Sequence, residues 1–168
     1  MTSRYGAVDA HYPASGGARA ALVVAGEPRF ATLTEEHVAE VDTVPAYRPG
    51  FFFERELPAI RAVLATAAPV DLLVVDGYVD LDPASRPGLG ARVHEEVGKP
   101  VVGVAKTAFW AATHAVPVVR GAGARPLWVT AVGIDVADAA AMISAMAGAH
   151  RIPDALRRVD RLARSLPG

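Results

Sequence analysis

Asp71-Leu-Leu-Val-Val-Asp76, followed by Gly88 to Val97 and then by Pro100-Val-Val-Gly-Val-Ala-Lys106, is the stretch that decides the fold. Both Val/Leu runs are apolar at consecutive positions, which is the pattern of strands covered on both faces. The segment between them reads as a helix, so the stretch is a βαβ unit whose two strands lie parallel through a right-handed crossover. Asp76 follows the first buried run directly, where its backbone is held and its side chain points into a cleft. Lys106 ends the second, and a lysine there is unexpected unless it too faces a cleft.

The N-terminal part has a different rhythm. Residues 4–9, Ala20 to Ala25 and a third segment near Glu36 to Val44 read as antiparallel strands separated by Gly-Gly and Gly-Glu-Pro breaks. After Pro49-Gly50, Leu57, Ile60, Val63 and Leu64 recur at helical spacing, and the helix is expected to stop near Ala68-Pro69. Towards the C-terminus, Pro126 to Val132 reads as one more strand, Ala137 to Ala147 as an Ala/Met-rich helix, and Asp154 to Ser165 as a basic helix. No internal repeat or low-complexity segment interrupts this order. Antiparallel strands first, then alternating strand and helix, is the order of an α/β ribonuclease-H-like mixed sheet flanked by helices.

A chain of 168 residues suits one domain, residues 1–168, and its 52% hydrophobic content fits a well-covered core. With no cysteine there is neither a disulfide framework nor a thiolate metal site, in keeping with a cytoplasmic protein. Every apolar stretch is broken well short of the roughly 20 residues a spanning helix needs. A net charge of −1 argues against a general polyanion-binding surface, but the positive charges are uneven. Arg48 and Arg55 flank Pro49-Gly50, and Arg151, Arg157, Arg158, Arg161 and Arg164 crowd the end of the chain. Such strips suit either a solvated helix face or a row of phosphates.

The acidic residues carry the chemistry. Asp9 closes Arg4-Tyr-Gly-Ala-Val-Asp9 as Asp76 closes its own run, and Glu56 and Asp160 stand further along. Singly, an Asp at a strand end is a turn or capping residue more often than a ligand. Converging carboxylates are hard oxygen donors of the kind Mg²⁺ takes, with Mn²⁺ as a substitute. Beside a base such as Lys106 they make the arrangement that phosphodiester hydrolysis requires, so the residues point to a nuclease. His11, His37, His94, His114 and His150 show no ligand pairing and are read as structural or exposed.

Local sequence sharpens this. Val44-Pro-Ala-Tyr-Arg-Pro-Gly-Phe-Phe-Phe-Glu-Arg-Glu-Leu-Pro58 resembles the Tyr-x-Pro-Gly…Arg-Glu-x-Pro segment of the endonuclease V family. Asp76-Gly77, Asp82-Pro83, Gly88-Leu89 and the run from Pro100 to Lys106 are similar to further blocks of that family in the same order. Val8-Asp9-Ala-His-Tyr-Pro13 resembles its first catalytic strand, and His150-Arg-Ile-Pro-Asp154 with Asp160 its C-terminal segment.

The resemblance implies catalytic roles for Asp9, Glu56, Asp76, Lys106 and Asp160, with Asp9, Glu56 and Asp76 as Mg²⁺ ligands. Spacing from Pro49-Gly50 and the neighbouring Arg55 favour Glu56 over Glu54. It also implies a nucleic-acid interface of Tyr47, Pro49, Gly50, Gly77 and Arg151, with Tyr47 as the aromatic wedge that fills the stack when an altered base is turned out. The expected reaction is cleavage of DNA 3′ to deoxyinosine, at the second phosphodiester bond, in repair of deaminated bases. Inosine-containing RNA is a second expected substrate. Departures fall at Asp82-Pro83-Ala84, at Arg92, and at Thr130-Ala-Val-Gly-Ile-Asp135, where the family has histidine or arginine. They keep open an alternative, a non-catalytic or altered-substrate relative that binds nucleic acid or a protein partner.

Overall fold

The computed structural model describes residues 2–44, 49 and 53–165, the side chains of residues 53 and 54 apart. Eleven elements follow in order: β1 (Tyr5–His11), β2 (Ala18–Ala25), β3 (Leu33–Val41), α1 (Phe53–Leu64), β4 (Leu72–Asp76), α2 (Leu89–Val97), β5 (Val101–Ala105), β6 (Val116–Val118), β7 (Leu127–Val132), α3 (Val136–Ala145) and α4 (Asp154–Arg164). The strands form one sheet in the order β3-β2-β1-β4-β5-β7-β6. β1 pairs with β4, and β4 with β5, in parallel; the other neighbours are antiparallel. This is the mixed, helix-flanked ribonuclease-H-like sheet that the sequence pattern predicts.

The continuous apolar runs are explained by two cores, one on each face. Along β2, Ala21, Val23 and Ala25 enter the core beneath α3 and α4, while Ala20, Leu22 and Val24 enter the core beneath α1 and α2. In β4, Leu72 and Val74 face the first core and Leu73 and Val75 the second. Successive side chains on a strand point to opposite faces, so strands buried on both sides carry no polar alternate. β3 lies at the edge and differs: its residues alternate between half-buried and exposed, and it carries Glu35, Glu36, His37 and Glu40. Charges on an edge strand discourage pairing with another chain. They are also tied down, Glu36 by Arg158 of α4 and Glu40 by Arg19.

Two boundaries and one added strand depart from expectation for physical reasons. The third strand begins at Leu33, because Leu33 to Val41 stay in register with β2 through an irregularity at Val24/Ala25. α1 ends at Leu64 rather than near Ala68, since the Thr66 hydroxyl donates to the Val63 carbonyl and closes the last turn. β6 lies within the connection between Ala108 and Arg125, where the pattern predicted no strand, and pairs with β7 alone.

Close packing between β4 and β5 restricts one position sharply. A Cβ on Gly103 of β5 would lie 2.5 Å from the Gly77 carbonyl oxygen and 2.7 Å from Thr130 Oγ1. Thr130 Oγ1 also accepts the Val79 amide at 2.8 Å, so a side chain there would push apart the turn that follows Asp76. We expect Gly103→Ala to cost about 1–3 kcal/mol in denaturant unfolding, in line with overpacked sites. An unchanged midpoint would show that this turn is free to move.

Candidate active site

The acids converge because of strand register. Val8 of β1 pairs with Val75 of β4, so Asp9 and Asp76 stand together one residue beyond the last parallel rung. By alternation both point to the face covered by α4, where Asp160 lies one residue past the buried Val159. Asp76 is in turn level with Val104 of β5, and two residues on Lys106 returns to the same side. Its Nζ lies 3.5 Å from Asp76 Oδ2. A narrow recess lined by Asp9, Asp76, Lys106 and α4 residues sits between them. Glu56 approaches from α1 and shares with Asp76 the wall of a larger recess of about 480 Å³.

Electrostatics mark these carboxyls as crowded. Asp9 is raised to about 8, first by burial and then by the charge of Asp76; the Ala10 amide, donating to its Oδ1 at 2.9 Å, opposes this. Glu56 is raised to about 7 by burial and by Asp76, with Arg55 opposing. Asp76 is raised by burial, although 41% of its side chain stays open at the mouth of the site, and Lys106 holds it back. Burial also works to raise Asp160, but hydrogen bonds from Arg164 and from Asp9 hold it below the ordinary carboxylate range. Its Oδ1 accepts from Arg164 Nε at 2.9 Å. Of this pair Asp9 is the carboxyl pushed towards its protonated form. Like charges held this close are costly unless a cation or a proton joins them.

Among the described residues no three or more acids close into a cluster that holds a metal ion in this arrangement. The cationic partners are Lys106 on Asp76 and Arg164 on Asp160.

Other expected interface residues fall as follows. Gly77 lines the larger recess, with φ of +139° and its amide donating to Val104 O at 2.9 Å; a residue with a side chain would be strained there. Pro49 is exposed, whereas Tyr47 and Gly50 lie outside the described residues. Arg151 spends its guanidinium on backbone carbonyls: those of Arg125 (3.1 Å) and Pro126 (3.0 Å), and that of Lys106. It thereby ties the chain after β5 to the segment before α4.

The departures have local structural roles. Asp82 accepts the Arg86 amide at 3.2 Å within its turn, and Asp135 caps α3 by accepting the Ala137 amide at 2.8 Å.

Pattern reading also missed supporting residues. Arg164 stands one helical turn beyond Asp160, a spacing that signals an ion pair on a helix. The Arg55 guanidinium lies over the Tyr12 ring at 4.6 Å from its centroid, bridging α1 to the end of β1 beside Glu56; no sequence signal announces this contact. Tyr78 and Phe109 line the larger recess and are locked together through the Tyr78 hydroxyl, which donates to Thr107 O and accepts from the Phe109 amide.

Comparison with known proteins identifies the family. The family model for Endonuclease V matches residues 2–129. Endonuclease V of Streptomyces avermitilis is 32% identical over 169 aligned positions, covering 85% of this chain and 73% of its own. The Streptomyces coelicolor protein is also 32% identical, covering 87% and 71%. The crystal structure of the S. avermitilis enzyme superposes with a TM-score of 0.79 at 30% identity, covering 97% of this chain and 80% of that one. Ciona intestinalis endonuclease V, solved with a 23-mer DNA containing an inosine followed by a ribo-adenosine, shares the fold (TM-score 0.80) at 15% identity, covering 98% and 85%. With the model match spanning most of the chain and these identities beside it, the protein belongs to the endonuclease V family.

Proposed function

We propose that this chain, acting as one domain over residues 1–168, is a Mg²⁺-dependent endonuclease that cuts DNA 3′ to deoxyinosine at the second phosphodiester bond. In this reading it repairs deaminated bases in the cytoplasm, and inosine-containing RNA is a second substrate. The observation that carries it is that Asp9, Glu56 and Asp160 each interact electrostatically with Asp76, Asp9 and Glu56 being raised to about 8 and about 7, while the Lys106 ammonium lies 3.5 Å from Asp76. Carboxyls desolvated and crowded in this way cluster at functional sites.

The donor set fits a hard divalent cation: it is oxygen-only, crowded with like charge and open to solvent at Asp76. Asp9, Glu56 and Asp76 would hold Mg²⁺, with Mn²⁺ as a substitute, and the metal would supply an activated water and stabilise the leaving oxygen. Lys106 offsets charge on the scissile phosphate. Asp160, held below the ordinary carboxylate range by Arg164, would leave Asp9 as the more readily protonated member of the pair when no cation is bound. On one side a groove of about 420 Å³ lined by Lys106, Arg151, Arg157, Arg161 and Arg164 suits the phosphate backbone. On the other the apolar recess behind Asp76 and Gly77 suits an extruded base. Tyr47, Pro49 and Gly50 are proposed as the tip that fills the vacated stack.

The test is incubation of end-labelled oligonucleotides carrying one deoxyinosine with Mg²⁺, with Mn²⁺ and with chelator. Cutting one nucleotide 3′ of the lesion, lost in chelator, is expected. No cutting by folded protein would overturn the reading. Tyr47→Ala should lower the preference for deoxyinosine over unmodified DNA more than it lowers metal affinity.

A further inference from the structure

Trp110 is the most solvent-exposed large apolar side chain among the described residues, at 86%. It is not isolated. Its ring centroid lies 5.9 Å from that of Phe109, and Phe109 lies 6.2 Å from Tyr78, both pairs tilted. Tyr78 is fixed by the two hydrogen bonds through its hydroxyl, so the three rings form a held ladder rather than a loose patch. Its inner end, Tyr78 and Phe109, lines the recess that Glu56 and Asp76 also border; its outer end is Trp110 in water. An indole held in solvent beside a recess offers a flat apolar face to a planar partner.

From this ladder we infer that Trp110 is a stacking platform for an unpaired nucleobase of single-stranded nucleic acid, next to the base that enters the recess. The inference rests on the nuclease reading for its neighbouring base, and its chemistry is independent of cleavage. Three observations select a nucleobase as occupant. The ladder is continuous with a recess bordered by the acids; that recess also holds Arg86, and Lys106 with the arginine-lined groove supplies positive charge for the attached phosphates. Stacking on an exposed aromatic needs a base freed from its partner, which favours single strands over duplex.

The test measures binding in chelator, so that cleavage plays no part. Anisotropy of a labelled single-stranded oligonucleotide carrying one deoxyinosine is compared for the native chain, Trp110→Ala and Trp110→Phe, alongside the same sequence as duplex. Loss of one stacked base is expected to weaken single-strand binding about 10-fold for Trp110→Ala, with most of it restored in Trp110→Phe and a smaller change on duplex. In the Trp128→Phe background Trp110 is the sole tryptophan, and its emission should be quenched as the oligonucleotide binds. Binding by Trp110→Ala within 2-fold of native, or absence of quenching, overturns the platform, as does failure of the native chain to bind single strands. Native cleavage with unchanged Trp110→Ala binding refutes the platform alone. A 10-fold loss without any inosine cleavage upholds it and refutes the nuclease reading.

Discussion

Asp76→Asn is expected to lower cleavage by about 10³-fold or more while leaving the fold intact, because it removes a charge-bearing donor worth several kcal/mol in the transition state. Asp76 is the acid that every other feature of the site addresses. It stands beside Asp9 at the end of parallel strands, raises both Asp9 and Glu56, and holds the Lys106 ammonium at 3.5 Å. An amide in its place keeps the shape of the side chain, and 41% of that side chain is already open to water. Circular dichroism and the thermal midpoint should therefore be preserved or improved. Cleavage by Asp76→Asn within 10-fold of native would mean that the reaction is run elsewhere.

The second large effect concerns stability against pH. Asp9 and Glu56 have folded-state values near 8 and 7, above the ordinary carboxylate values they regain on unfolding. The folded chain therefore binds more protons than the unfolded chain between about pH 4 and pH 8. Stability is greatest at the acidic end of this window and is lost as pH rises through the folded values. In chelator the midpoint should fall on the order of 5–10 °C between pH 5 and pH 8, since about 1 kcal/mol moves it roughly 2–4 °C in a domain of this size. Adding Mg²⁺ at pH 8 should restore much of that loss, because an ion that binds only the folded chain stabilises it by mass action, about 2.7 kcal/mol at 100 times its Kd. Asp9→Asn should flatten the pH dependence and weaken the Mg²⁺ response. A midpoint that rises with pH across this range, or ignores Mg²⁺ at pH 8, would contradict the assigned electrostatics.

Legibility in the sequence followed burial. Strands covered on both faces, such as Leu72 to Val75 and Val101 to Ala105, are long apolar runs and stand out. Val116-Pro117-Val118 did not: three residues give no period, a proline argues against a strand, and only an edge beside β7 accommodates it. The same logic applies to the site. Asp9, Asp76 and Lys106 end apolar runs, so their convergence could be anticipated from topology. Glu56 needed the family pattern to be separated from Glu54, because both sit on one helix turn. The Arg55–Tyr12 contact and the ladder from Tyr78 to Trp110 join residues far apart in the chain through loops, and no periodicity reports them. The departures at Asp82 and Asp135 look severe in sequence because a carboxylate replaces a cationic or imidazole group. In three dimensions they are a turn residue and a helix cap, each spent on a local backbone amide.

The most direct measurement is anomalous diffraction from crystals of the protein soaked in Mn²⁺, recorded at the manganese edge. A peak is expected between Asp9, Glu56 and Asp76, within roughly 2.0–2.3 Å of their carboxylate oxygens, and its loss in Asp76→Asn. A crystal that takes up Mn²⁺ elsewhere and leaves these three acids without a peak would contradict the metal site on which the proposed reaction depends.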